Sequence, residues 1–522
     1  MHFKFRNFIF PALAIALGLT FAACKKISST AVDPALTQTL SDALADNPGL
    51  SKFTEFVRKT GVDVMLQSSK TFSVWAPTND ALASLDPAIV ADTAKLRAFV
   101  LNHISGQAYY TRDVQTYIRV PMLSGKYNNF FGSKIEDANI TTADKYVMNG
   151  VLYVIDKPLL VLPNVWDFIN STTTTYSQNA FIAGLNFLFF NPALATVDSI
   201  SSTTGQPVYH PGTGLVTKNT FTERTFDVKR EDKQFTYFVI ANANFTIKAD
   251  ELKPYFKSST TAITDSLDRW NIVKDLIVDT LYPTAASLPA SITSMFGVIM
   301  PINTSLIIDT KKVSNGIVYV LSSSSTPFAN KFLPVRVEGE NPTGFLSDKT
   351  SNTSFLRVRR NPVTGANYSD ILVSGHAVTG YYSFYRLPEM PSMKYNVYAL
   401  AVNDFQTAAE FQSIIPVYYT PPPFTVSAST NGYIYIGNVT YPANTFTVLP
   451  SVSTQLPTNT TQLSYGVPLS TAAGAYNEVF LGTFTSNLFG TLDIRLTSAG
   501  TTLGSAGTAP IALDYFRLVP VP

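Results

Sequence analysis

Cysteine is nearly absent: Cys24 is the only one in 522 residues. A single thiol excludes an intramolecular disulfide and a thiolate metal cluster assembled from one chain. Histidine is almost as scarce, confined to His2, His103, His210 and His376. None has a second histidine or a carboxylate at metal-ligand spacing, so no metal site is expected. Charged residues make up only 14% of the chain, and its net charge of +2 comes from Lys4 and Arg6 at the extreme N-terminus. The neutral remainder lacks the electrostatic footprint that nucleic-acid binding requires. There is no Gly-rich phosphate loop, no G-x-S-x-G and no H-E-x-x-H. The acid pairs Glu136-Asp137 and Glu231-Asp232 stand in polar, turn-like settings that suit a solvated surface better than acid–base work. Neither catalysis nor a cofactor is expected.

What is present begins with "MHFKFRNFIFPALAIALGLTFAAC", a basic start, an apolar run from Phe8 to Ala23 and small residues at its end. The run is shorter than the roughly 20 residues that span a bilayer, so residues 1–23 read as an export signal. Its "FAAC" ending resembles the lipobox of bacterial lipoproteins, with Phe21 where an aliphatic residue is commoner. The resemblance implies a diacylglyceryl anchor on Cys24, a tether over 24–35, and attachment at the outer membrane or cell surface. The alternative is an ordinary cleaved signal followed by an unmodified cysteine. No later hydrophobic stretch is long enough to cross a membrane.

The chain is long enough for two to four cores, and 45% hydrophobic with 12% aromatic residues excludes general disorder. It also repeats itself. "MNGVLYVIDKPLL" (148–160) returns as "SNGIVYVLSSSST" (314–326), each an Asn-Gly turn feeding an alternating strand. Upstream, "TFSVWAPTNDALASL" (71–85) predicts a strand, a break at Pro77, a cap from Thr78 or Asn79, and a helix burying Leu82 and Leu85. "KLRAFVLNHIS" then places Leu96, Phe99, Val100, His103 and Ile104 on one helical stripe. On that stripe His103 reads as a hydrogen-bonded structural residue rather than a ligand or base.

In order, "TFSVWAPTNDAL", "LRAFVLNHISG", "MLSGKY" and "MNGVLYVIDKPLLV" resemble the fasciclin (FAS1) domain over residues 36–163. The resemblance implies a compact α+β domain with motif positions Thr78, Asn79, His103, Asn149 and Gly150, and a role in adhesion. The family's Tyr-His pair is here Asn102-His103, and the histidine usual in the closing strand is Tyr153. A degenerate second copy is expected over 164–331, with "QFTYFVIANANF", "WNIVKDLIVDTLY" and Asn315-Gly316; Phe72 to Phe235 is 163 positions and Asn149 to Asn315 is 166. Residues 204–233 are expected to form a long hairpin or loop insertion within it.

From about Phe332 helical periodicity gives way to eight short alternating runs, beginning with "SFLRVRR" and ending with "IALDYFRLVPV". Such runs predict an all-β sandwich over 332–522. Its last strands resemble galactose-binding-like jelly rolls, which include many carbohydrate-binding modules. Asp514 is read as fixing a strand end, with a calcium ligand as the alternative, and Arg357–Arg360 as a solvated strand end, with binding of an acidic polymer as the alternative. In "GYYSFYRL", alternation sends Tyr382 and Phe384 to one face and Tyr381 and Tyr385 to the other. Tyr381 and Tyr385 are the candidate glycan contacts, against ordinary cross-strand packing. The expected function is non-enzymatic: adhesion to an extracellular protein or glycan partner, with accessory glycan binding in polysaccharide uptake as the rival.

Overall fold

The computed structural model describes residues 34–345, 354–360, 365–373, 382–400, 432–438, 461–465, 478–498 and 511–522. Residues 1–33, with the leader and Cys24, lie outside the described residues, as do Tyr381 and His376. Two compact units are present: Met1–Asn164 with Arg230–Asp232, and Val165–Lys229 with Lys233–Pro522.

The first unit contains helices α1 (Leu40–Ala45), α2 (Ser51–Lys59), α3 (Asp63–Leu66), α4 (Pro87–Ala91) and α5 (Thr93–Leu101). Its strands are β1 (Phe72–Pro77), β2 (Ile104–Ser105), β3 (Ile118–Pro121), β4 (Tyr127–Phe130), β5 (Lys134–Ile135), β6 (Ala138–Val147) and β7 (Gly150–Ile155), in sheet order β2-β1-β7-β6-β5-β4-β3. β1 runs parallel to β7, Phe72 opposite Gly150 and Pro77 opposite Ile155. Every residue of β1 is buried because its two faces meet two cores. Phe72, Val74 and Ala76 join Phe53, Phe99 and Leu152, whereas Trp75 joins Phe130, Val151 and Tyr153.

Immediately after β1 the chain departs from expectation. Residues 79–85 form turns and a bend, and α4 begins only at Pro87. Thr78 does accept the Ala81 N–H, at 3.1 Å. Asn79 does not cap; its carbonyl oxygen accepts the Lys52 N–H at 2.9 Å and its amide donates to the Pro48 carbonyl at 2.9 Å. Held to the start of α2, the segment closes one i→i−4 bond, Leu82 N–H to Thr78 O at 3.1 Å, and then tightens to i→i−3. Leu82 and Leu85 are buried as the pattern requires.

The second unit opens with α6 (Val165–Ser171) and α7 (Ser177–Gly184), followed by β8 (Asn186–Phe190), β9 (Val197–Ile200), β10 (Pro207–Tyr209) and β11 (Leu215–Asn219). β8 pairs with β11 and β9 with β10, making one long nested hairpin. It begins at Asn186, earlier than expected, because the apolar run 187–190 finds its partner in 215–218. Next come α8 (Thr220–Arg224), β12 (Phe235–Ile240), α9 (Asn242–Leu252), α10 (Thr261–Val273), β13 (Ile277–Val278), β14 (Ser291–Thr293), β15 (Ile299–Pro301), β16 (Ile307–Val313) and β17 (Gly316–Leu321). β12 lies parallel to β17, Phe235 opposite Gly316 and Ile240 opposite Leu321, in the sheet β13-β12-β17-β16.

This ladder reproduces the β1–β7 register of the first unit, down to side chains. The Ser73 hydroxyl donates to Gln107 O and accepts from Tyr109 N, both at 2.9 Å. The Thr236 hydroxyl donates to Thr280 O at 2.7 Å and accepts from Tyr282 N at 2.9 Å.

Beyond Phe332 the described chain is strand: β18 (Val335–Glu338), β19 (Gly344–Phe345), β20 (Ser354–Arg360), β21 (Asn367–Val373), β22 (Tyr382–Met390), β23 (Lys394–Leu400), β24 (Gly432–Asn438), β25 (Thr461–Tyr465), β26 (Val479–Thr485), β27 (Gly490–Ser498), β28 (Ile511–Leu513) and β29 (Tyr515–Val521). They form three sheets, β18-β29-β23-β26, β19-β22-β27-β24-β25 and β20-β21-β28. Each of the eight alternating runs contains a strand. These sheets share a core with the helical part of the unit: the Phe256 ring lies 6.1 Å from Phe332 and 5.4 Å from Phe489. Arg357 is not a solvated strand end. It is buried beside Asp370, with Nε 2.7 Å from Oδ1 and Nη2 bonded to Oδ2, because a two-pronged carboxylate partner makes a buried guanidinium tolerable.

Candidate functional site

The Asn-Gly turns are clamps within the fold. Asn149 accepts the Leu40 N–H at 2.8 Å and donates to the carbonyls of Leu66 and Ser68 at 2.8 and 2.7 Å. Asn315 does the same work, accepting the Val165 N–H at 2.9 Å and donating to Val228 O at 2.8 Å. The glycines that follow are required by close approach: a Cβ at Gly150 would sit 1.9 Å from Phe72 O, and one at Gly316 would sit 2.1 Å from Phe235 O. Their φ angles, +152° and +159°, also disfavour side chains.

His103 is fully buried, its ring 4.6 Å from Phe99 and 5.2 Å from Phe53. Nε2 accepts the Leu159 N–H at 2.9 Å, which assigns the proton to Nδ1, and Nδ1 donates to Phe99 O at 2.8 Å. Burial pulls its pKa down to about 4, so the ring stays neutral at neutral pH. Beside it, Asn102 donates to the carbonyls of Leu159 and Leu160 at 3.1 and 3.2 Å and accepts the Ser124 hydroxyl at 2.7 Å.

The second unit keeps this geometry with inverted polarity. Phe238 N–H bonds Leu276 O as Trp75 N–H bonds His103 O, each at 2.9 Å, so Leu276 stands where the histidine was and Asp275 where Asn102 was. Asp275 accepts the Ser294 hydroxyl at 2.7 Å and the Lys331 ammonium at 2.7 Å. An amide donating to carbonyls is thus replaced by a carboxylate accepting from a half-buried lysine. The pattern search missed this pair, although Asp275 precedes Leu276 as Asn102 precedes His103.

Tyr153, on β7, lies 5.3 Å from Trp75 in a near-parallel stack. Its hydroxyl is 2.7 Å from Asp144 Oδ1 and 2.5 Å from Tyr109 O. Burial pushes both ionisations upward, Tyr153 first by burial and then by the carboxylate; at Asp144 the bonds from Thr111 and Tyr153 outweigh burial and hold its pKa below the usual range. Tyr319 repeats the anchor, donating to Tyr282 O at 2.7 Å.

Tyr385 does not present a stacking face. It is 1% exposed, and its hydroxyl donates to Gly339 O at 2.9 Å. Tyr382 on the opposite face is buried as well. Asp514 is buried at the β28–β29 junction, its amide bonded to Leu400 O at 2.8 Å and its Oδ1 3.7 Å from Arg336. His210 pairs with Asp198 across the β9–β10 ribbon at 3.2 Å. Among the described residues, no group of three or more His, Cys, Asp or Glu is placed to hold a metal. No described helix is long and apolar enough to cross a membrane, which says nothing of strands.

With the motif residues committed inside, the exposed rings of the first unit stand out. Tyr110 and Tyr146 are 5.6 Å apart with Arg112 4.8 Å over Tyr110, and Tyr117 and Phe131 are 5.6 Å apart with the Lys134 ammonium 4.9 Å over Phe131. Tyr117, Phe131 and Tyr146 are exposed. Solvent-facing aromatic–cation pairs of this kind are well suited to protein or glycan contact. The signal available in the sequence was the density of aromatics from Tyr109 to Tyr146.

The Fasciclin domain family model matches residues 48–161. Over 160 residues the chain is 28% identical to protein sll1483 of Synechocystis sp., a match covering 29% of this chain and 87% of that protein. Among solved structures, it is similar to the FAS1 domain pair from the insect cell adhesion molecule fasciclin I, at 15% identity and a TM-score of 0.22, over 54% of this chain and 98% of that one. A family 35 carbohydrate-binding module from Clostridium thermocellum matches at 16% identity and a TM-score of 0.19, over 36% of this chain and 99% of that one.

Proposed function

We propose that this is an exported, lipid-anchored surface protein that binds an extracellular partner without covalent chemistry. In this reading it consists of fasciclin-like domains over 36–163 and 164–331 and a C-terminal β-sandwich over 332–522. The fasciclin match over residues 48–161 carries the adhesive reading. The repeated parallel ladder with its two Asn-Gly clamps supports the second domain. The pairs Tyr110–Tyr146 and Tyr117–Phe131, with Tyr117, Phe131 and Tyr146 exposed, are the contact surface of the first domain. Glycan binding through β22 is the weaker reading, since Tyr385 is enclosed.

The test uses intact bacterial cells making the full chain or its Cys24→Ser variant, fed a clickable fatty acid and then mixed with beads coated in matrix proteins or glycans. The expected result is a labelled, surface-digestible protein that retains beads saturably, with both label and retention lost in Cys24→Ser. A labelled, exposed protein whose Tyr146→Ala/Tyr117→Ala variant retains beads as well as wild type removes the aromatic surface. An unlabelled protein released in soluble form removes the anchor.

A further inference from the structure

The hairpin that leaves the second unit at Asn186 is apolar where it ought to be solvated. Phe187, Leu188, Phe189 and Phe190 are 40%, 66%, 44% and 40% exposed, and Leu215 on the partner strand is 49% exposed. From Asn186 to Asn219 the only charged side chains apart from His210 are Asp198 and Lys218. The root of the arm is fixed: Asn219 donates to Ile182 O at 2.8 Å, and Thr220 N–H bonds Leu185 O at 2.9 Å. The arm is therefore a positioned projection with a large uncovered apolar surface, the kind that marks an interaction site.

Its two edges differ. Among the described residues β8 and β11 pair only with each other. The β11 edge carries Lys218, whose ammonium lies 4.4 Å over the Phe189 ring and 2.6 Å from Glu223, and an edge lysine is one of the devices that discourage strand addition. The β8 edge, Asn-Phe-Leu-Phe-Phe, has no charge and no proline, and two strands alone are marginal in water. A bilayer is a poor cover, because hydrocarbon leaves an open strand edge unsatisfied and the arm's tip, Ser201–Gln206, is entirely polar apart from Gly205. What fits is another strand of the same character. β8 is self-complementary: antiparallel to a second β8 about Leu188, Phe187 faces Phe189 of the other copy, and the charge beside that seam, the Lys218 ammonium over Phe189, is already paired with Glu223.

We propose that β8 is a homodimerisation edge, pairing antiparallel with β8 of a second copy to build a four-stranded sheet across a two-fold axis. The arrangement is isologous and closes at two chains, so it does not propagate. Aromatic cross-strand pairs supply its stability.

The test uses residues 25–522, the whole chain beyond the leader and Cys24, which contains no cysteine. Sedimentation equilibrium is expected to give a two-chain mass at micromolar concentration. Leu188→Lys should weaken association at least tenfold with an unchanged circular-dichroism spectrum, whereas Lys218→Glu on the guarded edge should not. Leu188→Cys, opposite its own copy, should form a disulfide-linked dimer under mild oxidation, and Thr217→Cys should not. A monomer at 100 micromolar overturns the proposal. So does a dimer indifferent to Leu188→Lys, which lies on another surface. Binding of the monomer to neutral vesicles that Leu188→Lys abolishes would assign the arm to a membrane instead. Slow amide exchange of β8 in a monomer would assign it to the chain's own residues, such as 401–431, which lie outside the described residues.

Discussion

Asp268 offers the most direct test of the energetics. It lies on α10, is 0% exposed, and its carboxylate has no well-aligned hydrogen-bond partner, only a weak approach from the Arg269 backbone N–H. Burial pushes its pKa from 3.8 up to about 7; the neighbouring Arg269 and Lys253 pull against this only in part, and Asp265 adds to it. The sign follows from proton linkage. Below pH 3.8 both folded and unfolded chains hold the proton and stability does not change with pH. Between 3.8 and 7 the unfolded chain releases the proton while the fold retains it, so stability falls by roughly 1.4 kcal/mol per pH unit. Above 7 the loss is complete, on the order of 4 kcal/mol. Asp268→Asn keeps the shape and removes the ionisation. It should match wild type near pH 4 and exceed it by up to about 4 kcal/mol at pH 8. Urea unfolding at the two pH values, followed by far-ultraviolet circular dichroism, measures the gap, and other titrating groups cancel in the difference. A gap that is the same at both pH values would refute the reasoning, because Asp268 would then ionise in the fold as it does in the unfolded chain.

Two further outcomes follow from the repeated geometry. Gly150→Ala and Gly316→Ala force a Cβ into the carbonyl of the adjacent parallel strand; each should lower urea stability by about 3 kcal/mol or more, while Ala at the open, solvent-facing Gly184 should change it by less than about 1 kcal/mol. Asp275→Ala leaves the Lys331 ammonium, whose side chain is only 11% exposed, with the Asn271 carbonyl at 2.8 Å but no counter-charge, and should cost about 3 kcal/mol. Adding Lys331→Met should restore a substantial part, and a double variant no better than the single one would show that the Asn271 carbonyl alone suffices for the ammonium.

The paired strands and their Asn-Gly turns were legible because their signals are local: a period of two, a glycine whose backbone must come close, and an amide that bonds over short reach. The eight C-terminal runs were legible for the same reason. What escaped depends on groups distant in sequence. Asn79 bonds to residues about 30 positions earlier, so it could not be told from a helix cap. Arg357 looked solvated because its partner, Asp370, comes from the next strand. Tyr385 looked half-exposed because alternation identifies two faces but not that Phe516, from the last strand, packs against one of them. The Asp275–Lys331 pair spans 56 positions and announces itself in no motif. The apolar β8 run lay in plain view, but only its exposure gives it meaning.

The Asn149 clamp also decides how the first unit bears load. It fixes the incoming chain at Leu40 to the Gly150 end of β7, whereas the outgoing chain leaves past Ile155, about 17 Å further along the same strand. Tension between the two ends is met first where His103 and Asn102 hold Leu159 and Leu160, and beyond them runs along β7, setting its hydrogen bonds to β1 and β6 in shear so that they share the force instead of parting one after another.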